Sequence, residues 1–218
     1  MSDRHPAESK RVAARLYLVT PPVEDAAAMA RLLADAIAAA DVAAVLLRLA
    51  DADERTLTNR VKTLLAPVQQ AGAALVLDGH AELVARAGAD GAHLTGIDAF
   101  TDAVERLKPE RIAGCGGLKT RHDAMVAAER GADYVMFGYF AGGQRPAFEA
   151  IVERIEWWAE LFQSPCVGFA ASLDEVGGLA RAGADFVAVG DSIWDHADGP
   201  AAAVAAAAQR LSAPEPVG

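Results

Sequence analysis

The apolar positions of this chain come in short solid blocks, separated by longer stretches with helical spacing. Three segments are near copies of one another: Ala85-Arg86-Ala87-Gly88-Ala89-Asp90, Ala128-Glu129-Arg130-Gly131-Ala132-Asp133 and Ala180-Arg181-Ala182-Gly183-Ala184-Asp185. Each precedes an apolar run: Gly91–Leu94, Tyr134–Phe137 and Phe186–Val189. A weaker copy, Ala39-Ala40-Asp41, precedes Val42–Leu47. The pattern predicts a helix that ends at a left-handed glycine, a short joint, and then a strand. Runs that are apolar throughout, without alternation, fit parallel strands covered on both faces.

Four more strands fall between these copies. They are Leu16–Thr20, Ala73–Leu77, Arg111–Cys115 and Cys166–Ala170, the later ones preceded by Ala71-Gly72, Lys108-Pro109 and Ser164-Pro165. Helical spacing is clear in Met29, Leu32, Leu33 and Ile37, and in Phe148, Ile151, Ile155, Trp158 and Leu161. Eight strand-helix units in 218 residues give about 27 residues each. That predicts a single (β/α)8 barrel with a core of about 16–211. A doubly wound open sheet is the alternative, but fourfold recurrence favours closure, because a closed ring makes alternate strands equivalent. Residues Met1 to about Arg11 and Ser212–Gly218 read as mobile tails.

Composition narrows the function classes. Hydrophobic residues make up 53% of the chain, enough for a sizeable core, and 20 basic against 30 acidic residues leave a net charge of −10. This balance argues against binding to nucleic acid or to an anionic membrane. Phosphate substrates remain open, since metal ions and backbone N–H groups bind phosphate on acidic proteins. The two cysteines, Cys115 and Cys166, form no C-x-x-C pair, so a disulfide framework is not expected and a reducing compartment is. Met1–Arg15 is charged and lacks a secretory apolar region, and no apolar stretch reads as a membrane span.

In a (β/α)8 barrel the chemistry sits at the C-terminal ends of the strands. Asp78 and Asp98 follow neighbouring strands 3 and 4, and two carboxylates there suit one Mg²⁺ with water and substrate phosphate oxygens. The same residues also suit helix N-caps. Lys119, Arg121 and Arg145 lie in glycine-rich loops after strands 5 and 6, as phosphate partners or as solvated loop cations. Ser172-Leu173-Asp174-Glu175 reads as a capping box opening helix 7. With Gly190-Asp191-Ser192 after strand 8, it frames the place where barrels often hold phosphate. His93 fits a hydrogen-bonded core histidine better than a catalytic one. His122 fits an exposed helix residue, and Cys115 a small buried one. Of Trp157-Trp158, one ring belongs in the core and the other suits contact with a second subunit.

Several of these segments together resemble the thiamine-phosphate synthase/thiazole tautomerase family, over Leu16 to about Leu211. The likeness is carried by Leu16-Tyr17-Leu18-Val19-Thr20, Gly88-Ala89-Asp90-Gly91-Ala92-His93-Leu94, Gly131-Ala132-Asp133-Tyr134-Val135 with Phe137-Gly138, and Ala182-Gly183-Ala184-Asp185 with Val187-Ala188-Val189. The resemblance implies a cytoplasmic, homodimeric barrel. It implies coupling of a hydroxymethyl-pyrimidine diphosphate to a thiazole phosphate, with Mg²⁺ and release of pyrophosphate. Diphosphate leaves first and the thiazole nitrogen captures the pyrimidine cation, so charge clamps on the leaving group matter more than a nucleophile.

By resemblance, Arg48 and Arg145 act on the diphosphate and Asp78 and Asp98 hold the metal; their places after the strands make Lys119, Arg121, Ser172, Gly190 and Asp191 candidate substrate contacts. The family pattern is broken in several places. Leu46-Leu47-Arg48-Leu49-Ala50 keeps only the arginine of Gln-Leu-Arg-x-Lys, and Leu77-Asp78 keeps only the aspartate of Asn-Asp. Thr95-Gly96 stands for Gly-Gln, Gly116-Gly117-Leu118 for Ser-x-His, Gly142-Gly143-Gln144-Arg145 for Thr-x-Thr-Lys, and Ala170-Ala171 for Gly-Gly. Two other readings stay open: a non-catalytic or repurposed member that binds a phosphorylated heterocycle, and a thiazole tautomerase-like isomerase.

Overall fold

Each copy of the repeat places its aspartate where a strand begins, and the carboxylate reaches back to the strand before it. The computed structural model of the chain describes residues 13–138 and 145–212. Among these, eight strands run in sequence: β1 (Arg15–Val19), β2 (Val42–Leu47), β3 (Ala74–Asp78), β4 (Gly91–Thr95), β5 (Ile112–Gly116), β6 (Tyr134–Phe137), β7 (Cys166–Ala170) and β8 (Phe186–Val189). They form a closed parallel barrel in chain order, and β1 pairs with β8 through Leu16↔Val187 and Leu18↔Val189. The open-sheet alternative is excluded. Outside the ring lie α1 (Ala26–Ala38), α2 (Glu54–Gln70), α3 (Ala81–Ala87), α4 (Ile97–Leu107), α5 (Arg121–Glu129) and α6 (Phe148–Leu161). A single 3-10 turn (Leu173–Glu175) leads into α7 (Val176–Ala182), and β8 is followed by α8 (Asp191–Trp194) and α9 (Pro200–Leu211). No described helix is long and apolar enough to cross a membrane.

The repeat has a physical purpose. Asp90, at the start of β4, accepts the Leu75 N–H of β3 at 2.7 Å. Asp133 does the same for Ala113 at 2.7 Å, joining β6 to β5. Asp185 accepts from Cys166 at 2.8 Å, joining β8 to β7. In the weaker copy Asp41 takes both Nε and Nη2 of Arg15, which ties β2 to β1. The ring is thus four two-strand modules, each locked at its lower end by one carboxylate. Gly88 and Gly183 close α3 and α7 in the left-handed region, where a side chain would be strained (φ 84° and 103°).

Along the strands, alternate residues face in and out. Leu16, Leu18, Val45, Leu47, Leu75 and Leu77 join the core shared with the helices. Tyr17, Val19, Leu46, Val76, Tyr134, Met136, Val167 and Ala188 fill the barrel interior. Two rings need room there, and β5 supplies it. A Cβ on Gly114 would lie 2.1 Å from the Tyr134 ring, and one on Gly116 would lie 2.5 Å from His93 Nε2. Trp158 is the core member of the tryptophan pair and donates to Ser164 O at 2.7 Å, whereas Trp157 is half-buried.

The segments read as tails, Met1 to about Arg11 and all of Ser212–Gly218 but Ser212, lie outside the described residues. So do Tyr139, Phe140, Gly142, Gly143 and Gln144 of the loop after β6.

These locks predict unequal costs. Asp185→Ala removes a charged acceptor from a backbone N–H and should lower unfolding free energy by roughly 1–2 kcal/mol. Asp41→Ala breaks an exposed ion pair and should cost less than about 1 kcal/mol. Urea denaturation of the two variants beside the wild type checks the order.

Candidate active site

Thr20 is the first residue past β1 and is buried. Its Oγ1 accepts the backbone N–H of Arg48 at 3.0 Å, and Val23 N donates to Arg48 O at 2.9 Å. Both main-chain groups of Arg48 are therefore held by the β1–α1 connection, and its side chain stands at the end of β2. There its Nε lies 3.8 Å from Asp78 Oδ2, with the two side chains 32% and 18% exposed. Consecutive strands are neighbours in this barrel, so an arginine ending β2 and an aspartate ending β3 meet at the mouth.

Beneath that pair runs a buried polar chain. Tyr17 and Tyr134 share a hydrogen bond between hydroxyls at 2.8 Å, and Tyr134 OH lies 3.0 Å from His93 Nδ1. The His93 and Tyr134 rings stack at 5.7 Å. Burial pushes the Tyr134 hydroxyl well above its ordinary pKa, and Tyr17, Asp78 and Cys115 add to the effect. Burial also lowers His93 to about 4, so the imidazole is neutral at pH 7. His93 is thus the hydrogen-bonded core residue that its apolar strand implies. Cys115 is buried, and its thiol is pushed up to about 12, first by burial and then by Asp123. A thiol in that state is not a nucleophile at neutral pH.

The loops after β5 and β7 differ from the open cradles their composition suggests. Asp123 Oδ2 accepts the N–H groups of Lys119 and Thr120 at 3.1 and 3.0 Å, while Thr120 Oγ1 caps Asp123 N. This is a true capping box, of the form [ST]-x-x-[DE], which the sequence carries and which the reading above passed over. The box expected at Ser172–Glu175 does not form. Ser172 makes no capping bond, because Leu173–Glu175 winds as a 3-10 turn and Glu175 reaches past Ser172 to accept Ala171 N at 2.7 Å. In both loops the chain's own carboxylates take N–H groups that a phosphate would otherwise use.

The cations also differ in position. Lys119 is exposed beside the barrel end, and its carbonyl accepts from Arg154 of α6. Arg121 pairs with Glu153 at 2.8 Å and lies 4.8 Å over the Trp157 ring. It starts α5 and packs on the neighbouring α6. Arg145 reaches the end of β7, where its partner is Glu175. Its Nη1 and Nη2 donate to the two Glu175 oxygens at 3.0 and 2.6 Å, and Nη2 also to Phe169 O at 3.1 Å. Gly190 is buried at the end of β8, and Asp191 is exposed in the first turn of α8.

For a metal, Asp78 offers a half-buried carboxylate at the mouth. Asp98 is exposed in the first turn of α4, where it lines a groove with Thr101, His122 and Arg130. No described trio of His, Cys, Asp or Glu gathers to hold an ion. Mg²⁺ needs only one or two protein carboxylates when phosphate and water complete its shell, so the donor chemistry at Asp78 fits.

His93 makes stability depend on pH. Its folded pKa lies below the ordinary 6.5, so the unfolded chain takes up the proton first as pH falls. Its contribution is full above about pH 6.5 and is lost on the way to about 4, by roughly 3 kcal/mol. Urea unfolding between pH 7 and 4 should show this slope, and His93→Gln should remove that part of it.

Known proteins place the chain. Residues 16–193 match the family model described as thiamine monophosphate synthase. The thiamine-phosphate synthase of Rhodospirillum centenum is 43% identical over 195 residues, covering 88% of this chain and 94% of that protein. The thiamine-phosphate synthase of Hyphomonas neptunium is 39% identical over 202 residues, covering 88% and 91%. The solved thiamine phosphate pyrophosphorylase of Pyrococcus furiosus superposes with a TM-score of 0.73 at 18% identity, covering 91% and 96%, which is a likeness of fold. By sequence across most of its length, this chain belongs to the thiamine monophosphate synthase family.

Proposed function

We propose that this chain couples a hydroxymethyl-pyrimidine diphosphate to a thiazole phosphate and releases pyrophosphate. The observation that carries the reading is the Arg48–Asp78 pair, seated at the barrel mouth of a chain of this family. In the reaction the bond between the pyrimidine methylene carbon and the diphosphate oxygen breaks, and its electron pair leaves with pyrophosphate. The thiazole nitrogen then supplies the pair for the new carbon–nitrogen bond. Arg48 carries positive charge to the leaving group from a fixed backbone, so little reorganisation is needed as charge develops. Lys119 adds a second, mobile cation. Asp78 would hold Mg²⁺ with phosphate and water completing its shell, and the ion would supply charge neutralisation to the diphosphate when bound; Asp98, in the groove between α4 and α5, is not placed beside it. Ser172 and the Gly190-Asp191 corner supply hydroxyl, backbone and carboxylate contacts to the heterocycles. A cytoplasmic location and a homodimer belong to the same reading and rest on the family.

A binder without turnover is the second reading, and the N–H groups already taken by Asp123 and Glu175 favour it. The tautomerase reading has less support. It calls for acid–base chemistry near the end of β5, yet the Cys115 thiol is pushed up to about 12, and His122 lines the groove between α4 and α5.

Purified protein given both substrates and Mg²⁺ should form thiamine phosphate, followed by chromatography. Arg48→Ala and Asp78→Asn should each lower kcat/KM by about 100-fold or more. No product from the wild type, with pyrophosphate binding retained, would select the binder.

A further inference from the structure

The segment that enters α6 and the turn that enters α7 are fastened together by one ion pair. Arg145 lies just ahead of α6, and Glu175 ends the 3-10 turn ahead of α7. Both guanidinium Nη atoms and both carboxylate oxygens are engaged, and the side chains are 26% and 19% exposed. Nη2 also holds Phe169 O, and Oε2 also holds Ala171 N. The arc from Phe169 to Glu175 is therefore pinned at a carbonyl, at an N–H two residues on, and at a carboxylate four residues further. Ser172 sits inside the arc, exposed, with its hydroxyl free of any capping bond.

We infer that Glu175 is a positioning residue for the transfer proposed above, acting through Arg145 and the Ala171 N–H to hold Ser172 at the barrel mouth. The inference rests on that reading of the site. Arg145 is the other half of the device. A planar fork with two parallel donors fixes the orientation of its partner carboxylate, which a lysine's single rotating ammonium does not. A carboxylate this enclosed also needs a cation beside it, or it would draw in water and let go of the Ala171 N–H. Ala170-Ala171 suits a pinned loop: alanine restricts a backbone that glycine would leave mobile. The arginine thus serves the site by setting the loop, with both Nη groups engaged by Glu175 and Phe169.

The test uses the full chain as Arg145→Ala, Glu175→Ala, the double variant, and Asp41→Ala as an ion-pair control at the opposite end of the barrel. Titration calorimetry with thiazole phosphate reads the site, turnover with both substrates reads the reaction, and hydrogen exchange reads residues 169–176. Each single variant should weaken thiazole phosphate binding by about tenfold, the scale of a small misplacement of a binding group. The double variant should bind no worse than the weaker single, because the two residues act as one unit. Exchange should rise in residues 169–176 in all three and stay unchanged in the control. Unchanged affinity in Glu175→Ala, or additive losses in the double variant, would overturn the inference. A wild type that binds thiazole phosphate without turnover would remove the synthase reading alone, and the affinities would still judge the pair. A wild type that does not bind it overturns both.

Discussion

Asp90, Asp133 and Asp185 each set a carboxylate on a backbone N–H of the strand before, and the rest of the barrel depends on that contact. A closed parallel ring leaves no edge to adjust, so the height of each strand relative to its neighbour must be set at the point of entry. One short side chain at the joint does this twice over: the carboxylate takes the N–H of the preceding strand, and the aspartate's own N–H goes to a carbonyl of that strand. Between modules the backbone ladder alone sets the register, as in β2–β3, where Leu47 pairs with Leu77 and Arg48 and Asp78 finish side by side.

The interior carries the same constraint upward. Tyr17, Tyr134 and His93 place polar atoms where aliphatic side chains would pack more simply, and the hydrogen bonds among them are what make this burial tolerable. Gly114 and Gly116 make space for two of the rings, so one strand gives up side chains for its neighbours on either side. The result is a rigid floor under the mouth, with Asp78 close enough to Tyr134 to raise its pKa.

An acidic chain that handles phosphates must concentrate positive charge locally. Here the backbone N–H groups of Lys119, Thr120 and Ala171 are filled from within by Asp123 and Glu175, which stiffens the loops after β5 and β7. Arg154 adds to the stiffening by donating to the carbonyls of Leu118 and Lys119 from α6.

The sequence alone determined the ring. Its strands were legible to within a residue at most ends, because burial on both faces demands unbroken apolar runs, and helix ends were legible where glycine takes a left-handed turn. Asp78 reads from the sequence as a neighbour of Asp98, whereas the structure sets it beside Arg48, on the preceding strand's end. The partners of long, flexible side chains were not legible. Arg121 went to Glu153 and Trp157, and Arg145 went to Glu175, residues some 30 positions away with no local pattern linking them. Ser172 makes no cap, and Glu175 accepts the Ala171 N–H one residue back. Burial and backbone periodicity are local demands written into the order of residues. Which charge faces which is decided by distances that exist only once the barrel has closed.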